Sequence, residues 1–128
     1  MMKKIIACLL AVFGFTSAYG QKGYEDVDVK EFAKLIADSS VIGLDVRTSK
    51  EYNEGHIARA INIDIKKDDF ITNVKSTLHT DRMIAVYCRS GRRSADACNW
   101  LSTEGYNVVN LKGGIFVWVD EKMPVLKE

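Results

Sequence analysis

The stretch from Met83 to Ser94, Met-Ile-Ala-Val-Tyr-Cys-Arg-Ser-Gly-Arg-Arg-Ser, constrains the fold of this chain more than any other. An apolar, β-favouring run from Met83 to Tyr87 stops at a cysteine, crosses a short loop with Gly91 and three arginines, and enters a helical pattern near Arg92. Strand, tight loop and helix N-terminus in that order make an anion site, because free backbone N–H groups and the helix dipole face the same small volume. The field that favours an anion also favours a thiolate, so Cys88 is expected to have a lowered pKa and to act as a nucleophile in an oxyanion-shaped pocket.

The flanking sequence places this unit in an alternating α/β domain. Asp28 and Glu31 form a capping-box-like pair at the start of a helix over 27–37, with Val27 and Phe32 at the staple positions and Phe32, Leu35 and Ile36 as the inward stripe. A short strand around 24–26 precedes it. The run Val41–Val46 reads as a strand covered on both faces, closed by Asp45 and Arg47 where open α/β sheets place their ligands. One or two capped helical turns follow, stopped at Gly55, then a strand over 61–63. An amphipathic helix over 68–78 is expected to bury Phe70, Ile71, Val74 and Leu78, with acids in its first turn. After the central strand, a helix from Arg92 to Glu104 stops at Gly105, and Tyr106–Leu111 forms the last strand. Gly113-Gly114 then turns into a short aromatic helix over 115–119. The result is a three-layer sandwich with a central, mainly parallel sheet of four to five strands flanked by helices.

The N-terminus has a different character. Met1–Lys4 is basic, Ile5–Phe15 is apolar, and Thr16–Gly20 is small and polar, with Ala18 and Gly20 at minus three and minus one from Gln21. This is the plan of a secretory signal peptide, and its apolar run is too short to span a bilayer. Residues 1–20 are therefore expected to be a leader cleaved near Gly20/Gln21, and 21–128 one exported domain, periplasmic or extracellular, with no stable membrane insertion. A lipobox at Cys8 and an uncleaved anchor are the alternatives. Loss of Lys3 and Lys4 lowers the basic residues from 18 to 16 against 17 acids, leaving a net charge of about minus one. No concentrated basic face for nucleic acid is present. The charge that matters is local, since Arg89, Arg92 and Arg93 are half of the chain's six arginines.

Individual residues carry competing readings. Cys98 stands about two helical turns beyond the loop, roughly 10 Å along the axis. Bridged α-carbons lie within ~7 Å, so a disulfide to Cys88 is disfavoured. Sharing a three-residue spacing with Ala95 and Leu101, Cys98 reads as a small buried residue. Asp45, Arg47, Glu51 and His56 are expected to pair and fix the turn after their strand rather than to react. No metal site is expected, because His56 and His79 are the only histidines and neither has a ligand cluster.

Four residues separate Cys88 from Arg93. Cysteine phosphatases place five between their cysteine and arginine, a loop that wraps a whole phosphoryl group. The shorter loop suits a cysteine carrying one extra sulfur, whose charge convergent N–H groups can meet.

Three segments carry a family resemblance: Leu44-Asp45-Val46-Arg47 with Glu51-Tyr52 and Gly55-His56-Ile57; Val86-Tyr87-Cys88-Arg89-Ser90-Gly91-Arg92-Arg93-Ser94; and Gly113-Gly114-Ile115 with Trp118. In this order the chain resembles the single-domain rhodanese group of sulfurtransferases, with Arg92 adding a charge where relatives often have Asn. The resemblance implies a ping-pong reaction without a cofactor: Cys88 takes sulfur from a donor such as thiosulfate as a covalent persulfide and passes it to a thiol or cyanide. It implies that backbone amides from Arg89 to Arg93 stabilise the sulfur. Arg89 and Arg92 would rim the pocket, and Arg93 would either join them or pair with an acid at the loop base. Ser90, the serine expected nearer substrate, and Ser94 would shape the loop, and Gly91 would give it room. Asp45 and Arg47 would support it, and Trp118 would pack behind it. Two other classes stay open: an envelope sulfur carrier or thiol-redox module serving a protein partner, and a cysteine phosphatase or oxyanion reductase.

Overall fold

A computed structural model describes residues 23–128. The leader reading of residues 1–20 lies outside the described residues. No helix among the described residues is long and apolar enough to cross a membrane.

Among the described residues five strands and five helices alternate: β1 (Glu25–Val27), α1 (Val29–Ile36), β2 (Ile42–Asp45), α2 (Ser49–Glu54), β3 (Ile61–Asn62), α3 (Phe70–Thr77), β4 (Ile84–Tyr87), α4 (Arg92–Thr103), β5 (Val108–Leu111) and α5 (Gly114–Asp120). The strands form one parallel sheet in the order β1-β5-β4-β2-β3. β4 is central, and every residue of β4 and β5 is buried. That explains the unbroken apolar run of β4, because a strand covered on both faces has no solvent side to mark with polar residues; β5 is interrupted only by Asn110, which is hydrogen-bonded.

Side-chain alternation sorts the sheet into two cores. Leu44, Ile84, Val86 and Val108 meet Phe70 and Val74 of α3 and Ala97, Cys98 and Leu101 of α4. On the other face Ala85, Tyr87, Val109 and Leu111 meet Val29 and Phe32 of α1 and Ile115 and Trp118 of α5. Phe32 is the hub of the second core, edge-on to Tyr87 and to Trp118 with centroids 6.2 and 6.1 Å away. The three-layer expectation holds, as does the packing role of Trp118, whose Nε1 donates to the Pro124 carbonyl at 2.9 Å.

Local signals act as read at α1, where the Asp28 carboxylate accepts from the Glu31 N–H at 2.9 Å. They fail at α3. Ile71 is 45% exposed rather than buried, and α3 has no acid in its first turn, because the helix starts only at Phe70, with Asp69 as its N-cap. The shorter helix turns a narrower stripe inward, and Phe70, Val74 and Leu78 fill it.

The sheet order positions the site. From β2 the chain winds outward to β3, then crosses back to β4 and continues to β5, so winding reverses between the adjacent strands β2 and β4. Their carboxyl ends part there, the crevice in which α/β sheets bind ligands. Asp45 is in register with Tyr87, which brings the β2 and β4 loops together.

Candidate active site: a cysteine at the sheet switch point

Cys88 follows the last residue of β4, and Gly91 caps α4 with φ at +101°, a left-handed conformation that glycine adopts without strain. This turn bends the loop back over the sulfur. The Gly91 N–H donates to Cys88 Sγ at 3.1 Å and the Ser94 hydroxyl donates at 3.3 Å. Burial of Cys88 opposes ionisation, but hydrogen bonds from the Ser94 hydroxyl and from the amides of Ser94, Gly91 and Ser90 prevail and leave the thiol pKa lowered. These amides sit slightly later than the expected run from Arg89 to Arg93, because the first turn of α4 brings the Ser94 N–H over the sulfur. Cys88 has 0% accessible surface. Cys98 is the other free thiol among the described residues, buried on the inner face of α4.

The loop is bonded by α2, α5 and β5 and backed by a turn that β2 fixes. From β2, the buried Asp45 accepts from Arg47 Nη2 at 2.7 Å, and the same nitrogen donates to the Gly55 carbonyl at 2.7 Å. The Arg47 guanidinium lies 5.6 Å from the Tyr87 ring centroid. The Tyr87 hydroxyl, its pKa pushed up by burial and by Asp45, accepts from the Ile57 N–H at 3.0 Å. From α2, Glu51 takes a bidentate grip on Arg93, at 2.8 and 2.9 Å. Glu51 also closes a capping box with Thr48, so one carboxylate starts α2 and ties it to α4. Of its two possible places, Arg93 thus occupies the paired one.

From α5, the Ile115 N–H donates to the Cys88 carbonyl at 2.9 Å and the Phe116 N–H to the Arg89 carbonyl at 3.0 Å. A Cβ on Gly114 would run into both of those loop carbonyls, and Gly114 also has φ at +66°. Glycine is required there by contact as well as by conformation. On β5, the Asn110 side-chain amide reaches Asp26 at 3.0 Å and the Gly91 carbonyl at 3.5 Å.

Arg89, Ser90 and Arg92 are exposed around the loop. Next to it opens a cleft lined by Arg47, Glu51, Glu54, Arg89, Phe116 and Asp120, among others. His56 lies apart from the sulfur, buried against Tyr52 with ring centroids 3.8 Å apart, its Nδ1 3.0 Å from the Tyr52 carbonyl oxygen. Asp45, Arg47, Glu51 and His56 therefore all fix turns, as their charge pattern suggests. Sequence reasoning missed the particular pairing of Glu51 with Arg93, the loop contacts of α5 and Asn110, and the cleft. Only Gly113-Gly114 hinted at the close approach of α5.

The arrangement surrounds Cys88 Sγ with N–H and O–H donors, and the Cys88 and Arg89 carbonyls accept from α5. Such a cage stabilises an anionic sulfur before and after a second sulfur is attached.

Comparison with known proteins places the fold in a family. Residues 28–121 match the family model described as a rhodanese-like domain. A sulfurtransferase from Allochromatium vinosum is 34% identical over 103 residues, covering 79% of this chain and 94% of that protein. Thiosulfate sulfurtransferase 18 of Arabidopsis thaliana is 37% identical over 114 residues, covering 80% and 83%. A crystal structure of a rhodanese-related protein from Thermoplasma volcanium superposes with a TM-score of 0.69 at 34% identity, covering 82% of this chain and 100% of that one. Relatives named as sulfurtransferases support sulfur transfer in general for a chain with this caged cysteine. By the match over residues 28–121 and by its relatives, the chain belongs to the rhodanese-like domain family.

Proposed function

We propose that this protein is a sulfurtransferase that forms a persulfide on Cys88 from thiosulfate or a similar sulfane-sulfur donor and delivers the outer sulfur to a thiol or cyanide. The observation that carries the reading is the pair of donors on Cys88 Sγ, the Gly91 N–H at 3.1 Å and the Ser94 hydroxyl at 3.3 Å. The Cys88 thiolate attacks the outer sulfur of thiosulfate, the S–S bond of the donor breaks, and sulfite leaves with the bonding electron pair. The new persulfide keeps one negative charge, so the loop amides serve both states. Arg89 and Arg92 draw the dianion in, and Ser90 lies at the entrance. Because Cys88 has no accessible surface, the donor enters as exposed rim side chains swing aside, a fast motion for surface rotamers. Arg93 acts by tying the loop to α2, and Asp45 and Arg47 by fixing the turn after β2 beside it. The intermediate is covalent, and no cofactor or metal takes part.

Intact mass before and after incubation with thiosulfate tests this. A gain of about 32 Da, one sulfur, is expected on the wild type and none on Cys88→Ser. Sulfite release without that gain, or full activity in Cys88→Ser, would overturn it. An aryl phosphate is expected to give no turnover, in keeping with the short loop.

The complete burial of Cys88 favours one second reading, an envelope carrier that stores sulfur for a partner without efficient turnover. That protein would show the same mass gain but negligible release to small acceptors. Export of residues 21–128 belongs to the same proposal, on the strength of the leader pattern in residues 1–20. A mature N-terminus at Gln21 in the envelope or medium is the expected result of N-terminal sequencing, and a full-length cytosolic product would refute it.

A further inference from the structure

The cleft beside the sulfur loop has a volume of about 420 Å³. Sites for small organic ligands span roughly 300–1,000 Å³, so thiosulfate alone leaves most of this space empty. Ile115, Phe116, Val119 and Val125 form an apolar wall. Phe116 is 65% exposed and Val119 50%, so apolar surface stands uncovered at the edge of the site. Glu54 and Asp120 also line the cleft. Both are exposed, and no hydrogen bond or ion pair engages either carboxylate among the described residues. Of the other charges on the walls, Glu51 is committed to Arg93 and Arg47 to Asp45, and Arg89, exposed at the loop edge, is the one wall cation without an ion pair among the described residues. Asp120 stands one helical turn beyond Phe116, whose N–H holds the Arg89 carbonyl, so its carboxylate shares the face of α5 next to the loop.

We propose that this cleft is the acceptor subsite, shaped for a small organic thiol that carries a protonated amine. The apolar wall receives its carbon body, Glu54 and Asp120 face its ammonium group, and its sulfur points to the loop. The inference rests on the sulfurtransferase reading of Cys88 and deepens it by naming the acceptor class. In the transfer step the acceptor thiolate forms a bond to the outer sulfur of the Cys88 persulfide as the bond between that sulfur and Sγ breaks. Sγ keeps the electron pair and returns to the thiolate held by Gly91 and Ser94, while the outer sulfur leaves on the acceptor as its persulfide. The proton lost by the acceptor thiol goes to solvent. Cyanide has neither carbon body nor positive charge and uses neither wall. The two carboxylates disfavour a dianion near them, while Arg89, which lines the same cleft, draws the donor to the loop end.

The experiment is single-turnover transfer from thiosulfate-loaded protein to three probes of similar size: cysteamine, 2-mercaptoethanol and 3-mercaptopropionate, which are cationic, neutral and anionic. Comparing rate ratios between wild type and Glu54→Gln/Asp120→Asn cancels differences in intrinsic thiol reactivity. The cysteamine-to-mercaptoethanol ratio is expected to fall about fivefold in the double variant, the scale of two exposed charge contacts, and the mercaptopropionate ratio to rise. Added salt is expected to lower the wild-type cysteamine ratio in the same direction. Unchanged ratios overturn the proposal. So does a double variant that loses transfer only to a cysteine peptide flanked by lysines, which assigns the cleft to a polypeptide instead. A failure to gain about 32 Da in the loading step condemns the Cys88 reading itself, so the two failures are told apart before any acceptor is added.

Discussion

At the scale of single residues, the chemistry depends on how Cys88 is solvated by its own loop. Ser94 contributes twice, through its amide and through its hydroxyl, and the two can be separated. Ser94→Ala deletes the hydroxyl donor and keeps the amide. The thiol pKa is then expected to rise, which moves the acid limb of the loading profile to higher pH and slows loading about 10-fold near neutrality, the scale of one hydrogen bond to a charged group. A pH–rate profile of sulfite release checks this, and an unmoved limb would mean that the amides alone set the acidity. Gly114 shows a different dependence, on the absence of a side chain. Gly114→Ala places a Cβ against the Cys88 and Arg89 carbonyls at a positive φ, and is expected to cost more than about 1 kcal/mol of stability. Denaturant unfolding together with the mass gain on loading would show both losses, whereas wild-type values in each would contradict the close packing of α5.

Between elements, the decisive tie is the bidentate pair of Glu51 on α2 with Arg93 on α4. Hydrogen bonding from Arg93, helped by Thr48, holds the Glu51 carboxyl at about 2, down from 4.5, against the opposing effect of burial. The folded state thus binds fewer protons than the unfolded chain below about pH 4.5. The stabilisation is complete above that pH and is lost as pH falls toward about 2. Glu51→Gln is expected to cost about 1 kcal/mol at neutral pH, a modest value because the pair is partly exposed to water, and to flatten the acid slope. Urea titrations at about pH 6 and about pH 3 measure both.

Strands and helices were legible here because they are encoded locally: a cap at Asp28, a stop at Gly105, an unbroken apolar run for β4. The Cys88 loop was legible for the same reason, since its donors lie within six residues of the sulfur. The partner of Arg93 was not, because forty-two residues separate it from Glu51 and nothing in either neighbourhood names the other. Ile71 misled because helical periodicity marks a face without fixing where the helix begins.

For the whole molecule, net charge is too small to steer substrates, at +1 for the full sequence. In the proposed reaction, attraction of a dianionic donor falls to the exposed arginines of one loop. Thiosulfate loading is therefore expected to slow as ionic strength rises, and Arg89→Ala/Arg92→Ala to load about 10-fold more slowly at low salt with a nearly flat salt dependence. Stopped-flow measurement over a salt series decides it, and an equally steep dependence in the double variant would place the attraction elsewhere. The burial of Cys88 at the meeting of β2, β4 and α4 has a consequence in time rather than in affinity. A persulfide dissolved in water is open to every passing oxidant and thiol, whereas one roofed by its loop is met only by molecules that can part the rim. In the proposed reaction, loaded protein would be a reservoir with a shelf life, able to accept sulfur at one moment and surrender it at a much later one.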